Sequence, residues 1–347
     1  MHFDAYGASL PMEHAARVAR AVEELGCSGI WFTETQRPPY LACAVAAEAT
    51  DALTIGTAIA VAFPRSPMVT AQTAWELARA SRGRFSLGLG TQVKAHIERR
   101  FSMPYEHPGA KLRDYVLGMR AIFAAFQGDS PLRYDGEFYS FTLLPDFFSP
   151  GPHEFPVVPI SIAGVNQGMA RIAGEVCDGF HVHPFHSRRY LDECIRPAIA
   201  EGAARAGRSA GDVELICPVF MIVGDTDAEQ APMRESVRNQ IAFYGSTRTY
   251  RPVFDLHGWG DTSAALHRLL AEGDTDAMAA AITDEMLEEY AVTATWDGLA
   301  DALLHRYEGI VDRVFSYQPA VEWLRSPELT MRWGEVVATV QEGRVAP

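Results

Sequence analysis

A chain of 347 residues, 48% hydrophobic and 21% charged, carries enough apolar material for one large core or two modest ones. Its formal charge of −14 argues against a nucleic-acid binder, which would show a basic face. No run approaches the roughly 20 apolar residues that a membrane helix needs, and Met1-His2-Phe3-Asp4-Ala5-Tyr6 reads as a first strand, not as a secretory signal. Cys27, Cys43, Cys177, Cys194 and Cys217 are odd in number and never form a C-x-x-C pair, so a soluble protein of the reducing cytoplasm is expected.

From the N-terminus onward, short β-branched runs alternate with amphipathic segments. The expected strands are His2–Tyr6, Gly29–Glu34, Leu53–Phe63, Arg84–Thr91, Val158–Gly164, Gly179–Phe185, Val213–Val223 and Asp312–Tyr317. Helices are expected at Met12–Leu25, Cys43–Thr50, Met68–Ser81, Ala110–Gln127, Arg188–Ala206, Glu229–Tyr244 and Trp296–Tyr307. Eight strands with helices between them spell an α/β fold, a (β/α)8 TIM barrel, formed by residues 1–347 as one domain. Two stretches exceed a minimal barrel: residues 128–155, with a small hairpin around Tyr134–Tyr139, and a long helical insertion over residues 226–295.

In such a barrel the chemistry lies where the strands end. The second strand ends in Thr33-Glu34-Thr35-Gln36, where a carboxylate can bind a cofactor edge, accept a proton or pair with an arginine. The third strand is small-sided at Gly56 and Ala58, either for a flat ring to approach the backbone or for tight helix packing. The fourth ends Gly88-Leu89-Gly90-Thr91 without the third glycine of a dinucleotide fingerprint. The fifth leads into Gly164-Val165-Asn166-Gln167-Gly168 and then a helix, with Asn166 suited to the N-cap. The free N–H groups of that helix start suit a cofactor phosphate, although glycine also serves simply to turn a chain. The sixth carries His181 and His183 on one side, with His186 just beyond. A metal pair, a proton-handling or substrate-binding imidazole, and a core histidine satisfied by a carbonyl are the three readings. Lys94, Arg99, Arg100, Lys111 and Arg113 fall in one window, as a basic patch or as wet surface.

The order Gly88-x-Gly90-Thr91, Tyr134-x-Gly136-x-x-Tyr139-x-Phe141, Pro159-Ile160-x-Ile162-Ala163-Gly164 and Ala173-Gly174-x-x-x-Asp178-Gly179 resembles the luciferase-like monooxygenase superfamily, and within it the coenzyme F420-dependent oxidoreductases. The resemblance implies a bacterial luciferase-like barrel with a deazaflavin in its mouth, phosphate on the fifth turn and ring against a bulged third strand. It also implies a non-prolyl cis peptide in that bulge, here Ala58–Ile59, and a homodimer. Carried over, the cofactor contacts are Glu34, Ala58, Ile59, Val61, Thr91, Gln92, His96, Gly164, Val165, Asn166 and Gln167. The family's sugar-phosphate dehydrogenases place a His after the strand-two acid and a Glu after the strand-four glycines. This chain has Thr35 and Val93 there, and His183 and His186 where those enzymes grip the sugar phosphate, so it departs from a glucose-6-phosphate enzyme.

The expected function is F420-dependent hydride transfer between the deazaflavin C5 and a small organic substrate. Glu34 and His183 would handle protons, His181, His183 and His186 would face the substrate, and Tyr139, Phe141, Phe147, Phe148 and Phe185 would wall the pocket. The same fold with FMN would make an oxygen-using monooxygenase, and His181 with His183 on a metal would make a hydrolase.

Overall fold

The computed structural model describes residues 1–343. Twelve strands occur among them: β1 His2–Ala8, β2 Gly29–Phe32, β3 Thr54–Thr57, β4 Ala60–Val61, β5 Phe85–Gly90, β6 Tyr134–Asp135, β7 Ser140–Phe141, β8 Ile160–Gly164, β9 Gly179–Val182, β10 Glu214–Val223, β11 Ala291–Ala294 and β12 Arg313–Pro319. β1, β2, β3 with β4, β5, β8, β9, β10 and β12 pair in parallel in that order, and β12 returns to β1, so the sheet closes into the eight-stranded barrel expected.

The expected strand Leu53–Phe63 is divided into β3 and β4. The expected insertion over residues 226–295 is helical from Asp227 to Tyr290 and then returns as β11, which pairs with the outer half of β10 through Phe220↔Ala291 to Val223↔Ala294. A helix absent from the sequence reading, Pro327–Glu342, covers β1, with Trp323 and Trp333 stacked 4.4 Å apart beside Phe3.

Two polar devices hold the frame. In the lower barrel, Asp4 on β1 accepts hydrogen bonds from Trp31 Nε1 (2.8 Å), Arg313 Nε (2.7 Å) and Arg313 Nη2 (2.9 Å), tying the last strand to the first two. Asp4 is fully buried, so this forked ion pair must satisfy its oxygens or leave a costly lone charge. Outside the barrel, Asp114 accepts the N–H groups of Phe138 (2.7 Å) and Tyr139 (3.0 Å) and the Tyr134 hydroxyl, docking the β6–β7 hairpin. A Cβ on Gly136 would lie 2.0 Å from Asp114 Oδ1, so glycine is required there.

Helices Gln167–Val176 and Arg196–Arg205 approach just as closely. A Cβ on Gly174 would meet Ile199 O at 2.1 Å, and one on Gly202 would meet Arg171 O at 1.9 Å. Asp178 accepts from Ile160 N–H (2.8 Å) and Arg120 (3.0 Å) at the base of β8 and β9. The Tyr-x-Gly-x-x-Tyr and Ala-Gly-x-x-x-Asp-Gly motifs are therefore framework and do not line the mouth. No helix among the described residues is long and apolar enough to cross a membrane.

Candidate active site

At the mouth, the third strand carries the expected cis peptide, Ala58–Ile59. From Gly56 to Ala60 it advances four residues while β5 advances three, Ser86 to Leu89, so one extra residue bulges out. Thr57 bridges the gap, its Oγ1 donating to Gly88 O (2.7 Å) and accepting from Gly88 N–H (2.9 Å). A Cβ on Gly88 would stand 2.0 Å from Thr57 O and 2.5 Å from His181 Nε2, and one on Gly90 would stand 2.6 Å from Ile59 Cδ1. Gly88 and Gly90 thus make room for the bulge, which leaves Ala58 and Ile59 partly exposed as a floor.

Glu34 sits behind that floor, 5% exposed. Its Oε2 accepts Val61 N–H (2.8 Å) and Arg65 Nη1 (2.8 Å), its Oε1 accepts Arg65 Nη2 (2.7 Å), and its own N–H donates to Ile59 O (3.1 Å). Both carboxylate oxygens are committed, so Glu34 clamps the bulge and is not disposed to move a proton. The arginine-pairing alternative describes it.

Across β5, β8 leads into the helix Gln167–Val176. The first N–H groups of a helix have no carbonyl within it to pair with, and Gln167 and Gly168 are exposed, so their donors face solvent at its positive end. Asn166 holds the N-cap position, but its side chain makes no cap bond. Its Nδ2 instead donates to Thr249 O of the insertion (2.7 Å), while its Oδ1 is buried without a partner. Thr91 and Gln92 lie partly exposed beside this turn, and Val165 is buried. His96 is exposed on the short helix Lys94–Arg99. The basic window does not form one patch: Lys94 pairs with Glu98, Arg113 with Glu175, Arg100 with Thr35 O, and Lys111 covers the Phe63 ring.

The histidines share a side of β9 at different depths. His181 is 3% exposed, edge-on to Trp31 at 5.0 Å, with neither ring nitrogen partnered, and burial holds it neutral with its pKa pushed down to about 3. It lies one layer below the mouth. His183, partly exposed, accepts Phe185 N–H at Nδ1 (3.1 Å), which places its neutral-form proton on Nε2. Burial also lowers its pKa, to about 3, so at neutral pH His183 is a hydrogen-bond donor and not a base.

His186, 2% exposed, bonds His183 O (2.8 Å) through Nδ1 and meets Tyr307 Oη (3.1 Å) and Cys217 Sγ (3.3 Å) with Nε2. Both of its nitrogens are used behind the wall, which corrects its expected place against the substrate. Phe147 and Phe148, expected in the pocket wall, stand 91% and 65% exposed on the outer surface, and Phe185 is buried against Phe254 and Tyr290. Tyr139 and Phe141 pack on helix Pro108–Gln127. Among the described residues no group of three or more His, Cys, Asp or Glu is arranged to hold a metal, so His181 and His183 find no third ligand for hydrolase chemistry.

The wall opposite the bulge is aromatic. Tyr6 from β1 stacks on Tyr317 from β12 at 5.2 Å, and Tyr317 Oη meets Tyr244 Oη from the insertion at 2.9 Å. Tyr244 and Tyr250 bracket the His183 ring at 4.6 and 4.8 Å. The sequence reading passed over these tyrosines because they come from three segments far apart in the chain, with Tyr244 and Tyr317 73 residues apart and Tyr6 farther still from both. The one available signal was the position of Tyr6 and Tyr317 at the ends of their strands.

A closed barrel with a bulged third strand, a clamped acid behind the bulge and an exposed helix start after the fifth barrel strand belongs to a defined class. The chain is a member of the luciferase-like monooxygenase family, whose sequence model matches residues 2–313. It is 46% identical over 303 residues to an uncharacterized protein of Mycobacterium tuberculosis, covering 87% of this chain and 89% of that one. Over 309 residues it is 26% identical to the 5,10-methylenetetrahydromethanopterin reductase of Archaeoglobus fulgidus, covering 86% and 88%. The coenzyme F420-dependent tetrahydromethanopterin reductase from Methanopyrus kandleri shares the fold, with a TM-score of 0.77 at 17% identity and 98% of each chain covered.

Proposed function

We propose that this protein is an oxidoreductase that holds coenzyme F420 in the barrel mouth and moves a hydride between it and a small organic substrate. The observation that carries the reading is the pairing of a bulged floor, Ala58–Ile59 over Gly90, with the exposed helix start at Gln167-Gly168. A flat ring fits the first and an anionic tail fits the second. The polar groups match such a cofactor: Gln167 and Gly168 N–H to donate to a phosphate, the unpartnered Asn166 Oδ1 to accept from a hydroxyl of the sugar-alcohol chain, and Thr91 and Gln92 beside them. The names of relatives, F420-dependent among them, support the same choice.

When bound, the deazaflavin supplies the two-electron hydride chemistry. The protein's part is orientation and exclusion of water. Glu34 and Arg65 fix the bulge so that its face cannot drift, and the 226–295 insertion, latched to Asn166 through Thr249 O, covers the mouth. His183 contributes a fixed Nε2–H to a developing negative charge on the substrate.

The test is a fluorescence and absorbance titration with F420 and with FMN. Saturable F420 binding at micromolar concentration, with FMN at least tenfold weaker, is the expected result. Binding of FMN alone would transfer the chain to the flavin-using monooxygenase reading.

A further inference from the structure

Asn166 stands between two partners and serves only one. Its backbone, at φ −100° and ψ 157°, has the extended geometry of an N-cap, and helix Gln167–Val176 begins on it. A capping side chain accepts the N–H of the second or third helical residue, here Gly168 or Met169. Met169 N–H already has the Asn166 carbonyl at 3.1 Å, so Gly168 N–H is the donor that a cap would take. The side chain instead turns away, gives Nδ2 to Thr249 O at 2.7 Å and leaves Oδ1 buried with no partner. The latched position therefore forgoes the cap, although both bonds join a side-chain amide to a backbone group and are of similar strength.

What Asn166 holds is a strap of four residues, 247–250. One end is pinned at Gly245, whose carbonyl accepts Ser263 Oγ at 2.9 Å and where a Cβ would lie 2.3 Å from the Phe254 ring. The other end is pinned by Val253 and Phe254, both buried. Between them Arg248 and Thr249 are exposed, and Tyr250 sets its ring 4.8 Å from that of His183. The strap thus meets the helix start through Thr249 and the substrate side through Tyr250.

Resting on the F420 reading above, we propose that Asn166 is a two-position switch that closes this strap when the cofactor's phosphate occupies the helix start. The phosphate takes Gly168 N–H, the cap loses its donor, and the Asn166 amide is left to Thr249 O. In that position Oδ1 is open to a hydroxyl of the sugar-alcohol chain, so chain and phosphate favour the same state. Closure seats Tyr250 on His183, and the substrate's wall is completed only once the cofactor is in place. The site therefore fills in order, cofactor before substrate, with binding and closure linked in both directions.

The test reads amide hydrogen exchange over residues 247–251 in the full chain, with F420 and with the phosphate-free deazaflavin that keeps the ring and the sugar-alcohol chain. Affinities are measured first by fluorescence, and each compound is used at saturation. F420 should slow exchange of the strap about fivefold or more, and the phosphate-free compound less than about twofold. Asn166→Asp removes the Nδ2 donor but keeps a side chain that caps well, so it should hold its urea midpoint and lose the slowing by F420. Asn166→Ala, which can neither latch nor cap, should lose it too. A merely structural Asn166 would quicken exchange in both variants and leave the response to F420 intact.

Equal slowing by the two compounds, no slowing by F420, or slowing retained in either variant would each overturn the proposal. Failure of F420 to bind at all would instead sink the cofactor reading on which it rests.

Discussion

The two sides of the barrel mouth are made of different material. The side from β2 to β8 is backbone: a bulge, two glycines that admit it, a carboxylate clamp and a helix start. The side from β9 through β12 to β1 is side chain: His183 and the tyrosines at 6, 244, 250 and 317. Backbone sites depend on glycine and on strand ends, so they can be shared among relatives that differ in substrate. Side-chain walls can be changed one residue at a time and are where substrate choice resides.

Removing the clamp is the most severe way to break the backbone side. Glu34→Ala leaves Arg65 and Val61 N–H without their acceptor, and a loss of about 3 kcal/mol in urea unfolding is expected, together with weakened cofactor binding. Next comes Gly88→Ala. Its methyl would press on Thr57 O at 2.0 Å, which neither strand can yield without spoiling the bulge, so about 1 to 3 kcal/mol of stability is lost.

The histidine side carries a pH signature. The folded pKa of His181 is pushed down to about 3, while in the unfolded chain it titrates near 6.5. Below about pH 6.5 the unfolded state therefore binds more protons, and stability falls as pH drops through the window from about 6.5 toward 3. The unfolding free energy should fall between pH 7.5 and 5.5, and His181→Met should reduce that fall by about 1 kcal/mol. An unchanged pH dependence would show that His181 is solvated and not sealed in the barrel. The smallest effect is expected of Asn166→Ala, which removes one hydrogen bond to Thr249 O at a cost of about 1 kcal/mol or less. Its clearer sign is faster amide exchange over residues 246–255.

Much of the fold was legible because parallel strands buried on both faces read as continuous apolar runs, and the eight segments expected correspond to the barrel strands. Leu53–Phe63 read as one strand because a bulge changes geometry without changing composition. The cis bond at Ala58–Ile59 came only from family resemblance. Of the site, the helix start after Gly164 was legible from its glycines, whereas the roles of Glu34 and His186 were not. What an acid or imidazole does depends on its partners, and Arg65, Tyr307 and Cys217 are not its neighbours in the chain. Asn166 was assigned the cap that its type favours, but the insertion captured its side chain first.

The central claim is that the N–H groups at Gln167-Gly168 grip the cofactor's phosphate. Gly168→Pro deletes one of those donors while suiting the first turn of the helix, and apart from its chain neighbours and its own helix backbone no atom lies within 4 Å of a Cβ placed there. The F420 dissociation constant of this variant, measured by fluorescence titration beside its urea midpoint, is the direct test. A loss of affinity of about tenfold or more at unchanged stability is predicted, and an unaltered affinity in the folded variant would contradict the account.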